Sequence, residues 1–169
     1  MAKKRLLKKY DGKKYDWWNF WKLVLALCVV IFILFRFFIG ISVVDGDSML
    51  PTYEDGDRVV YSRLAKDFKQ GDVVSVRVPS GDYYIKRVIA VGGDQVNIAN
   101  DKLYLNRDKF EEDYIQGTTS PQEGSVKYPY NVSEDFVFVM GDNRDVSMDS
   151  RTFGAVNVTQ IKGKVIFSF

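Results

Sequence analysis

Histidine is absent from all 169 residues. Its absence excludes a Ser-His-Asp triad, a histidine base and any zinc site that needs imidazole. Cysteine occurs once, as Cys28 inside an apolar run. No disulfide can form within the chain, and no thiol-built metal site is possible. Beyond the N-terminal region no amphipathic helical pattern of ten or more residues stands out. There is no internal repeat and no low-complexity tract.

Charge is nearly balanced, at +2, but unevenly placed. Residues 1–22 hold eight basic and two acidic residues, so the remaining 147 are net negative, at −4. A nucleic-acid reader would carry its positive charge on the folded body. A basic tail on an acidic body instead fits a segment kept in the cytoplasm by the positive-inside rule.

One long apolar run is present, WWNFWKLVLALCVVIFILFRFFIGISVV at 17–44. Residues 23–35 alone are too short to span a bilayer. A helix over 17–36, at ~1.5 Å per residue, reaches roughly 30 Å. Lys22 and Arg36 then lie near opposite interfaces, and Trp17, Trp18 and Trp21 form an aromatic belt. A cleaved leader would need small residues at −3 and −1, and Gly40 and Ser42 make a poor site. The expected organisation is therefore a basic tail at 1–16, a transmembrane anchor at 17–36 and a folded domain outside the cytoplasm at 37–169.

That domain reads as all-β. Short alternating or β-branched runs occur at 58–62 (RVVYS), 72–78 (DVVSVRV), 83–91 (YYIKRVIAV), 95–99 (QVNIA), 102–106 (KLYLN), 136–140 (FVFVM) and 161–167 (IKGKVIF). Turn clusters separate them. Residues 107–134 are polar with weak periodicity and read as a loop excursion. Residues 37–44 either lie on the lipid surface or begin the sheet.

Three features carry chemistry. The first is GDSMLPT at 46–52. Gly46 permits close backbone approach, Pro51 fixes the chain, and Thr52 can bond back to the turn. Ser48 is a candidate nucleophile whose own N–H could face an oxyanion. It stands four residues past the apolar run, at most ~13 Å of extended chain. Without histidine, lysine is the alternative base, provided that burial lowers its pKa. The run at 83–91 offers Lys86. Period two puts Lys86 on one face with Tyr84, Val88 and Ala90, and Arg87 on the other with Ile85, Ile89 and Val91. The competing reading is an edge-strand lysine that blunts aggregation. The third feature, GDNRDVSMDSRTFG at 141–154, reads as a buried polar loop in which Asp149 pairs with Arg151 and Ser147 holds the lysine. Its aspartate spacing does not make a calcium loop.

Together these features resemble the type I signal (leader) peptidases of bacteria, in the compact single-anchor form typical of Gram-positive species. The boxes FFIGISVVDGDSMLPT, GDVVSVRVP, YYIKRVIAVGGD and GDNRDVSMDSRTFG occur in the family's order, from about residue 36 to the C-terminus. The resemblance implies a β-rich catalytic fold shared with self-cleaving SOS-repressor-type proteins. It implies a membrane-bound serine endopeptidase with a Ser-Lys dyad, with no cofactor and no metal. Ser48 would be the nucleophile and Lys86 the base, supported by Ser147, Asp149, Arg151 and Arg87. Some members carry a hydroxyl residue two positions before the nucleophile as a second oxyanion donor. That position is Gly46, which leaves the backbone of the Gly46 region or water. The implied substrates are exported pre-proteins with small residues at −3 and −1. They would be received by pockets from 42–50 and from strands near 74–78 and 84–88. The expected location is the cytoplasmic membrane, single-pass, N-terminus inside, with lipid as a partner. The rival from another class is a membrane-tethered, non-catalytic assembly factor for secreted or pilin-like subunits. A self-cleaving regulator is disfavoured by the anchor.

Overall fold

The structure is a computed structural model that describes residues 17–122, 124 and 126–169. The basic tail at 1–16 lies outside the described residues. The chain divides into two units after Arg36.

Helix α1 runs Trp17–Phe38, two residues past the expected end, and none of its residues is buried. It is long and apolar enough to cross a membrane.

The second unit is mostly antiparallel sheet, as the alternating runs predict. Its strands are β1 (Ile39–Val43), β2 (Arg58–Ser62), β3 (Val73–Arg77), β4 (Tyr83–Val91), β5 (Gln95–Ala99), β6 (Lys102–Leu105), β7 (Asp108–Lys109), β8 (Tyr130–Asn131), β9 (Phe136–Met140), β10 (Val156–Asn157) and β11 (Ile161–Ser168). A one-turn helix, α2 (Ser150–Phe153), precedes β10. The larger sheet has seven strands in the order β1-β2-β11-β3-β4-β9-β10, and the smaller has four in the order β7-β6-β5-β8. Residues 39–43 thus begin the sheet: β1 pairs with β2 from Ile39 opposite Ser62 to Val43 opposite Arg58. Among the described residues, the excursion at 107–134 contributes the short strands β7 and β8.

Strand β4 lies inside the sheet, between β3 and β9. An edge-strand role for Lys86 is thereby excluded. Lys86 stands opposite Val74, and Tyr84 opposite Val76. Cross-strand partners share a face, so Lys86 projects on the side of Val74, Val76 and Val88, which belong to one apolar core. The expected alternation fails beyond Val88. The β4–β9 register shifts between Val88 and Ala90. Ile89 and Ala90 both enter a second core, with Phe138 and Met140, while Val91 packs with the first. An extra residue in one strand reverses the facing of those that follow.

A third, smaller core joins Val44, Met49, Val59, Val73 and Ile85. Met49 follows Ser48, and Ile85 precedes Lys86. Both are buried, at 0% and 6% exposure. Burying each such side chain contributes about 1.5–3 kcal/mol. One apolar cluster thus holds the backbone on which both candidate catalytic residues stand.

Candidate active site

Ser48 lies in the turn after β1, and Lys86 near the middle of β4. Lys86 is 2% exposed, and its Nζ donates to Ser48 Oγ at 2.7 Å. The Nζ also lies 5.4 Å from the centre of the Tyr84 ring. Burial lowers the Lys86 pKa from 10.5 to about 8; Asp149 and Asp142 oppose that shift, and Arg151 adds to it. Desolvation dominates, and no carboxylate among the described residues is hydrogen-bonded to this ammonium.

The Ser48 turn is fixed from several sides. Its carbonyl accepts the Asn143 N–H at 3.1 Å. Thr52 does not bond back to its own turn. Its Oγ1 donates to Asp142 Oδ2 at 2.5 Å, because that carboxylate arrives from the 141–154 loop. No hydrogen bond occupies the Ser48 N–H among the described residues, which leaves it available to an oxyanion. The Gly46 N–H is not available: it donates to Asp55 Oδ1 at 2.7 Å. Gly46 itself has φ +74°, a conformation that favours glycine.

The 141–154 loop is buried and polar, as its composition suggests. Asp142, Arg144, Ser147, Asp149, Ser150 and Arg151 are each at most 1% exposed. The expected Asp149–Arg151 pair is present. Arg151 Nε donates to Asp149 Oδ1 at 2.9 Å and Nη2 to Oδ2 at 3.0 Å. Asp149 also accepts the Arg151 N–H and the Gly141 N–H, both at 3.1 Å. Arg87 forks onto Asp142, with Nε to Oδ1 at 2.8 Å and Nη2 to Oδ2 at 2.6 Å. Ser147 departs from expectation. Its Oγ is buried without a hydrogen-bond partner, while Lys86 directs its own bond to Ser48. The hydroxyl is packed against Gly141, where a Cβ would lie 2.3 Å from Ser147 Oγ and 2.4 Å from the Ser48 carbonyl oxygen. Only glycine allows the loop to pass between them.

A cleft of about 750 Å³ opens beside the pair, lined by residues 43–48, 82–86, Val146 and Met148. The stretches at 42–50 and 84–88 were expected there. Residues 74–78 were also expected and are absent: Val74, Val76 and Val78 face the first core. Asp82, Tyr83, Val146 and Met148 were not foreseen. Val146 and Met148, exposed apolar residues in a largely buried polar loop, are the available signal. No cluster able to hold a metal occurs among the described residues.

The family model for signal peptidase, peptidase S26, matches residues 17–169. Signal peptidase IB of Staphylococcus aureus (strain Mu50 / ATCC 700699) is 36% identical, covering 88% of this chain and 87% of that protein. Signal peptidase I of Bacillus amyloliquefaciens is 38% identical, covering 88% and 86%. A crystal structure of a signal peptidase I from Enterococcus faecalis V583 is 26% identical, with TM-score 0.47, covering 59% of this chain and 97% of that one. With a family match across nearly the whole chain and relatives of this identity, the chain belongs to the type I signal peptidases of the peptidase S26 family, the proteases that remove signal peptides.

Proposed function

We propose that this signal peptidase is a membrane-anchored serine endopeptidase working through a Ser48–Lys86 dyad. The observation that carries the reading is the 2.7 Å approach of a buried lysine to the serine hydroxyl. With a pKa of about 8, Lys86 holds a useful neutral fraction near neutral pH. Neutral Nζ accepts the Ser48 proton as Oγ attacks the scissile carbonyl carbon. The resulting ammonium gives that proton to the leaving amine, and the peptide bond breaks to leave an acyl-enzyme. Water then adds to the ester, passing its proton to Lys86, and the carboxylate product leaves as Ser48 regains its proton. The Ser48 N–H faces the oxyanion in both halves, a contribution typically worth roughly 10²–10³ in rate.

Asp149 and Arg151 fix the loop behind the dyad, and Arg87 ties β4 to Asp142. Ser147 closes the packing at Gly141. Helix α1 anchors the chain in the cytoplasmic membrane with its basic end inside and the catalytic unit outside. The substrates are exported pre-proteins with small residues at −3 and −1, and Val43, Val44, Ile85 and Met148 supply apolar cleft wall. Sharing one membrane with the substrate raises the effective concentration.

The test is cleavage of a labelled pre-protein by the detergent-solubilised full chain, its Ser48→Ala variant and its Lys86→Ala variant. Wild-type cleavage with loss in both variants is expected. Unchanged processing in either variant defeats the dyad. No processing by wild type returns the chain to an assembly role.

A further inference from the structure

The excursion between β7 and β8 reaches back to the site through two side chains. The Glu112 side chain is 3% exposed, and that of its partner Arg144 is fully buried. Arg144 Nη1 donates to Glu112 Oε2 at 2.8 Å, and Nη2 bonds the other carboxylate oxygen. Arg144 Nε donates to the Gly141 carbonyl at 2.9 Å. Gly141 is the residue wedged between Ser48 and Ser147. Tyr114 Oη donates to Glu112 Oε1 at 2.8 Å. The Tyr114 ring lies 4.1 Å from the Arg87 guanidinium carbon, on the residue next to Lys86. Backbone bonds follow the same route. Gln116 N–H donates to the Asp142 carbonyl at 2.9 Å, and Arg144 N–H to the Gln116 carbonyl at 2.8 Å.

We propose that Glu112 and Tyr114 are positioning residues of the dyad, holding Gly141 and Arg87 so that Ser48 and Lys86 keep their separation. The proposal rests on the dyad reading above. Two considerations support it. A buried ion pair gives little net stability compared with apolar packing of the same volume, because desolvation offsets the attraction. What a forked arginine–carboxylate pair does supply is geometric definition. Burial beside the Glu112 carboxylate also pushes the Tyr114 phenol up, so its O–H remains a donor. Neither residue lines the substrate cleft, so their effect belongs in turnover and not in substrate binding.

The experiment compares kcat and KM for a labelled pre-protein among full-length wild type, Glu112→Gln, Tyr114→Leu, Tyr114→Phe and Ser48→Ala, with folding followed by circular dichroism. In Glu112→Gln and Tyr114→Leu, kcat is expected to fall about 10-fold to 100-fold, the scale of a small misplacement of reacting groups. KM should stay within about twofold. Tyr114→Phe keeps the ring over Arg87 and loses one hydrogen bond, so a fall of about threefold is expected. A folded Glu112→Gln or Tyr114→Leu with wild-type kcat overturns the proposal, as does a kcat that falls only in step with the folded fraction. If Glu112→Gln does not fold, Tyr114→Leu decides by the same criteria. Cleavage by Ser48→Ala would instead defeat the dyad, and the proposal would fall with it.

Discussion

Two groups of buried cations lie side by side, and the protein treats them differently. In the 141–154 loop and its surroundings, Arg144 and Arg151 each hold a carboxylate within hydrogen-bond reach, and so does Arg87 beside them. Lys86, next to Arg87 in sequence, has no carboxylate partner among the described residues and bonds the Ser48 hydroxyl. Arginine cannot shed its proton, so burying it requires a counter-charge. Lysine can, so leaving it without one lets burial make the neutral amine accessible near neutral pH. In the proposed dyad, the arginine side of the site supplies rigidity and the lysine side supplies reactivity.

Replacing the unpaired cation tests the contrast most severely. Lys86→Met should abolish turnover, by at least about 10³-fold in kcat measured by pre-protein cleavage. The same change should leave the protein as stable or more so near pH 7. The folded-state pKa of about 8 lies below the usual 10.5, so wild type carries an unfavourable buried ammonium below pH 8. That cost is relieved between about pH 8 and 10.5, and stability rises with pH there. Urea unfolding across this range should show the rise in wild type and not in Lys86→Met.

Removing a carboxylate from the paired side should have the opposite sign. Asp149→Ala leaves Arg151 buried without its counter-ion and should cost about 3–5 kcal/mol in denaturant unfolding. The pH–rate profile sharpens the lysine half. Activity should climb about tenfold per pH unit from pH 6 and level off above about 8. A flat profile from pH 5 to 9 would remove Lys86 as the base. The smallest effect belongs to an exposed pair. Lys69 and Asp67 stand 3.7 Å apart with side chains 74% and 86% exposed. Lys69→Ala should change the unfolding midpoint only marginally.

The local pattern disclosed what local pattern controls. The period-two run at 83–91 became β4, and the turn at 46–52 stands beside it. The buried loop follows from Asp142, Asp149, Arg144 and Arg151 crowding a stretch after an apolar strand. What stayed hidden depends on contacts distant in sequence. Residues 39–43 continue an apolar run, so only pairing with β2 distinguishes strand from lipid-facing segment. The facing of Ala90 was reversed by a register shift against β9, which β4 alone does not encode. Glu112 and Arg144 are 32 positions apart, and Glu112 lies in a polar stretch with no period. Ser147 was read from its place in the polar loop as holding the lysine, and its hydroxyl packs against Gly141 instead.

The strand order gives β11 a part in joining the site. Ser48 follows β1 and Lys86 lies on β4, yet β2 and β3 do not pair with each other. Between them runs β11, made of residues 161–168, bonded to β2 on one side and β3 on the other. Within that sheet the strands leading to Ser48 and the strand carrying Lys86 are joined through β11. Without β11 the sheet itself would fall into two pieces, β1-β2 and β3-β4-β9-β10, with Ser48 beside one and Lys86 on the other. Docking of β11 is therefore what closes this sheet between the two residues of the proposed dyad.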